Sequence, residues 1–139
     1  STAVDTKLIM TGTWSGVIKL PNATAANAGM VIEILLAADA DTDGSAKIQT
    51  EEAGSTVMTG GIILNSTGAK TDAINIAAVS NVQSIEIDAD AADHAGGKEG
   101  SVYRFYYQEA NKIFADCRGI TSAATPALDA NAVSATGWS

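Results

Sequence analysis

Isoleucine and valine together number 21 against 6 leucines, and that ratio constrains the fold more than any other feature of the chain. β-Branched side chains fit a pleated surface and lose χ1 freedom in a helix. They also recur here with period two, the spacing of a strand that buries one face. Trp14, Gly16, Ile18 and Leu20 share one face of a run that stops at Pro21, a residue unable to donate to a ladder. Met30–Leu36 turns Met30, Ile32, Ile34 and Leu36 inward and Glu33 outward. Ser45–Thr50 forms a short strand around Ile48, and Ser55–Asn65 reads as a strand broken at Gly60-Gly61, where a bulge or corner belongs. Ala73–Ala77 and Val82–Asp88 alternate again, with Ile74, Ile76, Ile85 and Ile87 inward. Ser101–Gln108 and Lys112–Asp116 flank a hairpin turn at Glu109–Asn111.

Gly, Pro, Ser, Thr, Asn and Asp supply 57 of the 139 residues, enough to punctuate eight such strands. The connections include a small-residue one at Asn22–Gly29, a polar loop at Asn65–Asp72 and an acidic, glycine-rich loop at Asp88–Gly100. With no helical run of about ten residues, the pattern predicts an all-β chain: a single antiparallel β-sandwich at 11–120. Residues 1–10 and 121–139 are expected to extend from it as arms. The C-terminal arm is almost all Ala, Thr, Ser, Asn and Asp, anchored sparsely by Leu128, Val133 and Trp138, with Trp138 as the plug at a neighbouring subunit.

Charge excludes several functions. A formal net charge of −8 argues against nucleic acid as a partner, since phosphate binding needs clustered Lys and Arg. It argues equally against docking on an anionic membrane. Glu33 interrupts the longest apolar run, so no segment has the roughly 18 apolar residues of a spanning helix. The first residues lack a basic segment followed by an apolar one, so the chain is expected to be made in a cytoplasm or to have lost a leader already.

Residues for catalysis are few. His94 is the single histidine, in the loop Ala91–Gly97, and Cys117 the single cysteine. Neither sits in a nucleophile elbow, a zincin helix or a phosphate-cradling glycine pattern. His94 is expected to be solvated, and Cys117 to be buried as a small hydrophobe. Glu51-Glu52 and Asp88/Asp90 are the carboxylate pairs a glycosidase would need, though nothing sets their separation. No cofactor is implied, with one alternative: Asp39, Asp41 and Asp43 ahead of Gly44 can wrap oxygen ligands around Ca²⁺. An EF-hand is rejected because Thr50 stands where the bidentate Glu belongs. A calcium-binding turn and a plain acidic turn stay open, with Asp88–Asp93 a weaker second candidate. Tyr103, Phe105 and Tyr107 share one strand face, and Arg104 and Tyr106 the other. If that second face is wet, Arg104 and Tyr106 are the centre of a contact with protein or carbohydrate.

The order of these features resembles a known family. A strand ending Lys19-Leu20-Pro21 is followed by Ala28-Gly29-Met30 and an apolar strand, then a polar turn and Thr59-Gly60-Gly61-Ile62. An aromatic hairpin and a Gly119-Ile120-Thr121 exit close the series. This is similar to the jelly-roll-like decoration, or cement, proteins of tailed-bacteriophage capsids, over roughly Trp14–Thr121. The Asp39–Gly44 turn and the Ala/Thr-rich tail depart from the pattern. The resemblance implies a homotrimer without enzymatic activity, bound to the major capsid protein on the outer surface of the virion and stabilising it. It carries over no catalytic residues. Two other classes fit the chain: a fibre or receptor-binding module, stabilised by calcium, and a small polysaccharide-active enzyme with paired acids in a groove.

Overall fold

The structure, a computed structural model, describes residues 4–50 and 56–135. Among these residues there is no α-helix, and three single-turn 3₁₀ segments interrupt ten strands. The strands are β1 (Thr6–Met10), β2 (Val17–Leu20), β3 (Val31–Leu36), β4 (Ala46–Thr50), β5 (Val57–Ser66), β6 (Thr71–Asn75), β7 (Ser84–Ile87), β8 (Val102–Glu109), β9 (Lys112–Thr121) and β10 (Val133–Ser134). They form a six-stranded sheet in the order β1-β3-β8-β9-β5-β6 and a four-stranded sheet in the order β10-β7-β4-β2. One continuous core draws on both, with Ile34, Phe105 and Ile62 from the first and Ile48, Ile85 and Val133 from the second.

The all-β expectation holds, whereas the expectation of a purely antiparallel sandwich does not. β1–β3, β2–β4 and β5–β9 are parallel. The reason lies in the path of the chain. β1 belongs to the larger sheet, β2 to the smaller, β3 to the larger and β4 to the smaller. A chain that crosses to the opposite sheet and returns comes back in its original direction, so each returning strand lies parallel to the one it left. Only β5–β6 and β8–β9 are consecutive neighbours joined as hairpins.

β5 also runs without the expected break, pairing with β9 over ten residues from Val57↔Lys112 to Ser66↔Thr121. Gly60 serves a different purpose there. Its φ is +107°, and a Cβ on it would lie 1.9 Å from the Ala115 carbonyl oxygen, so only glycine permits this approach of backbone to backbone. Gly119 is tighter still, since its Cβ would lie 1.6 Å from the Ala95 carbonyl oxygen.

That second contact explains the acidic loop at 88–100, which is folded into the protein rather than left in solvent. Ala95 is fully buried, and its N–H donates to the Glu86 carbonyl at 2.9 Å. Gly97 accepts from Ala40 at 2.7 Å, and the Lys98 N–H donates to Ile120 at 3.0 Å. The hydroxyl of buried Tyr103 donates to the Gly96 carbonyl.

Neither terminal segment extends away as an arm where it is described. Thr6–Met10 is an edge strand on the larger sheet. From 121 to 135 the chain lies on its own body: Ser122 donates to Ala89, Ala127 to Ala92, and Val133 pairs with Ile85. Leu128, Ala132 and Val133 are buried. Small side chains let this backbone come close enough for direct hydrogen bonding, so few large anchors suffice.

Replacing Gly119 with Ala should displace the 88–100 loop and lower stability by about 3 kcal/mol or more, the upper range for forcing atoms into a filled core. A urea midpoint measured against wild type checks this, and an unchanged midpoint contradicts it.

Candidate functional site

Alternation along β8 sends Tyr103, Phe105 and Tyr107 into the core, where all three are buried, and leaves Val102, Arg104 and Tyr106 on the outer face of the six-stranded sheet. The inward face matches the sequence reading. The outward face becomes a surface because each neighbouring strand keeps the same phase. Cross-strand register aligns Val31, Tyr106 and Phe114 in one row, and Lys7, Glu33, Arg104 and Asp116 in the next. A third row holds Ile9, Leu35, Val102, Arg118 and Ile63.

The middle row is an alternation of charge. The Arg104 guanidinium pairs with the Glu33 carboxylate, and the Lys7 ammonium lies 3.5 Å from the same carboxylate. The Arg104 hydrogen bond, with help from Lys7, holds the Glu33 carboxyl below its ordinary range despite some desolvation. Glu33 and Asp116 in turn push Arg104 up. The rows on either side are apolar but for Arg118. Tyr106 and Phe114 face each other with ring centroids 6.2 Å apart and planes at 55°, a tilted aromatic pair. They are 38% and 40% exposed, Ile63 is 37% exposed and Ile9 58%. An open pocket of about 350 Å³ is lined by Asp5, Thr6, Lys7, Val31 and Glu33.

Arg104 and Tyr106 therefore share the outer face of the larger sheet, the condition under which the sequence reading made them the centre of a contact. Trp138 lies outside the described residues. Phe114, which completes the patch, went unremarked in the sequence. Its signal was present, because burying Ile113, Ala115 and Cys117 on one side of β9 places Phe114 on the other.

The aspartate turn is not assembled around a common point. Asp39 reaches away to the 88–100 loop, where its Oδ2 accepts from Lys98 Nζ at 2.5 Å and its Oδ1 from the Glu99 N–H at 2.8 Å. Asp41 accepts from the Ser45 hydroxyl at 2.6 Å, and Asp43 from the Ser45 N–H at 3.0 Å. This is the hydrogen bonding of a self-closed acidic turn. Asp88 likewise folds back, accepting from the N–H groups of Asp90 and Ala91. Among the described residues, no three His, Cys, Asp or Glu side chains are grouped to hold a metal ion.

His94 is more engaged than expected. Its Nδ1 lies 2.7 Å from Asp93 Oδ1 and its Nε2 3.5 Å from Glu86 Oε2. Asp93 in turn accepts from the Asn131 side chain at 3.2 Å. This chain of contacts ties the loop to β7 and to the C-terminal segment, and it runs through carboxylates. Cys117 is buried, and burial pushes its thiol up, away from the reactive thiolate. The Glu51-Glu52 pair lies outside the described residues.

The chain matches no protein-family model, no curated protein and no solved structure.

Paired carboxyls set the pH response. Lys98 holds Asp39 below the ordinary range, His94 does the same for Asp93, Ser45 for Asp43 and Lys112 for Glu109, as Arg104 does for Glu33. A carboxyl lowered on folding stabilises the protein above its unfolded pKa, and that contribution is lost as pH falls through the folded value. Asp90 runs the other way, since hydrogen bonding to Asp88 raises it. Its contribution is present at low pH and lost as pH rises. Among the described carboxyls five are lowered and one raised, so stability should fall as pH drops below about 4. Urea midpoints at neutral and acid pH under fixed ionic strength check this; a higher midpoint in acid contradicts it.

Proposed function

We propose that this chain is a non-enzymatic binding protein that lays the outer face of its six-stranded sheet on a protein shell and stabilises that shell. The observation that carries the reading is the composition of this face. Aromatic and aliphatic side chains stand exposed in rows around tethered charges, the mixture of apolar anchor and arginine that concentrates binding energy in protein interfaces. Electrostatics supports a protein partner as well. The face holds Lys7, Arg104 and Arg118 against Asp5, Glu33 and Asp116, a balance of sign in a chain whose formal net charge is −8. The acidic remainder keeps the protein soluble and disfavours contact elsewhere, so this side is the one that meets a second surface without repulsion.

Taken with the family resemblance, the partner is the major capsid protein on the outside of a tailed-bacteriophage virion, and the role is decoration. Many copies on one shell multiply a modest contact into a large stabilisation, because each engaged site raises the effective concentration at the next. The groups a polysaccharide-active enzyme would use give less support. Asp88 is bonded within its own loop, and Glu51-Glu52 lies outside the described residues.

Replacing both Tyr106 and Phe114 with Ala should leave the fold intact and weaken shell binding by about thirtyfold or more, since interface aromatics commonly contribute about 2 kcal/mol or more. Sedimentation of stripped particles with added protein measures the binding, and wild-type protein should restore heat resistance that the double variant does not. If the double variant binds like wild type, the face is wrong. Stripped particles that keep their heat resistance but lose attachment to cells favour the receptor-binding reading.

A further inference from the structure

The four sheet edges of this fold are not equally protected. An edge strand offers unpaired N–H and C=O groups to any other strand, and folded proteins blunt such edges. β10 is only two residues long. β2 is four residues long and is closed by Pro21. On β6 the outward N–H of Ala73 is taken by the Asp72 carboxylate at 2.9 Å. Among the described residues, β1 has none of these devices. Its one charged side chain, Lys7, is drawn back over the sheet face toward Glu33, and Leu8 and Ile9 stand 37% and 58% exposed beside the open edge.

Register shows what that edge fits. Met10 accepts from the Ala37 N–H at 2.9 Å while pairing with Leu36 in a parallel ladder. Thr6, Leu8 and Met10 therefore turn their backbone groups to β3, and Lys7 and Ile9 turn theirs outward. We propose that β1 is a self-association edge: two copies of this chain pair β1 to β1, antiparallel, about a two-fold axis through Leu8. In that register Lys7 lies opposite Ile9 of the second copy, and Ile9 opposite its Lys7. Both are hydrogen-bonded pairs built from the groups that face outward. The two Leu8 residues meet as a non-hydrogen-bonded pair, the closer kind, with Cα atoms about 4.5 Å apart, and cover each other's exposed side chains. No like charges are opposed along the edge. The result is isologous, a continuous twelve-stranded sheet whose outer faces join. It stands independently of the shell-binding reading, and it replaces the three-fold association that the family resemblance implies.

The test is the mass of the full-length protein in solution across a concentration series, at low and high salt. Wild type should rise from one chain to two, that is to twice 14.1 kDa, and more readily at high salt because salt screens the repulsion between two acidic bodies. Ile9→Pro removes an N–H that serves the outer edge and not β3. It should hold the protein at one chain while leaving the circular dichroism spectrum unchanged. Leu8→Lys and Leu8→Glu should each weaken the dimer alone and restore it when mixed, because the two-fold sets residue 8 against itself. A wild type that stays monomeric at every concentration, a mass of three chains, or a dimer indifferent to Ile9→Pro and to the residue 8 charges would each overturn the proposal.

Discussion

Two carbonyl oxygens occupy the places where methyl groups would stand if Gly60 and Gly119 were any other residue. The Ala115 oxygen lies within 1.9 Å of the first position and the Ala95 oxygen within 1.6 Å of the second. The ten-residue parallel ladder of β5 and β9 depends on the first, and the burial of the 88–100 loop depends on the second. That loop in turn anchors the Asp39 turn through Lys98 and Glu99 and the C-terminal segment through Ala89 and Ala92. Within the larger sheet, β9 lies between β8 and β5 and is paired with β5 along its whole length.

Much of this was legible in the residues, for a physical reason. Burial of one strand face forces period two, so the inward sets Met30/Ile32/Ile34/Leu36 and Tyr103/Phe105/Tyr107 could be read directly and are all buried. Partner choice could not be read, because alternation says which side of a strand is buried and nothing about which strand lies beside it. The three parallel pairs follow from crossings between sheets that no local pattern encodes. β1 escaped notice because four of its five residues are exposed, and β10 because it has only two residues. His94 in the glycine-rich loop read as solvated because Gly and Asp signal turns; the burial of that loop depends on a space made by Gly119, 22 positions from Gly97.

At the candidate site the legibility was similarly partial. Arg104 and Tyr106 were placed correctly by alternation, but Glu33, Phe114 and Ile63 joined them only through cross-strand register. The Asp39–Gly44 motif shows the opposite case. Its spacing suits a cation loop, yet the nearest cation in the fold is the Lys98 ammonium, brought in by the 88–100 loop. That ammonium pairs with Asp39, while Asp41 and Asp43 bond to Ser45.

The account rests on which of the two sheet faces touches the shell, and footprinting of the bound protein reads that most directly. Hydroxyl-radical labelling should modify Tyr106, Phe114 and Ile63 in the free protein and spare them on decorated particles, while Val17 on β2 of the smaller sheet is labelled equally in both. Protection of Val17 with Tyr106 and Phe114 still labelled would contradict the account.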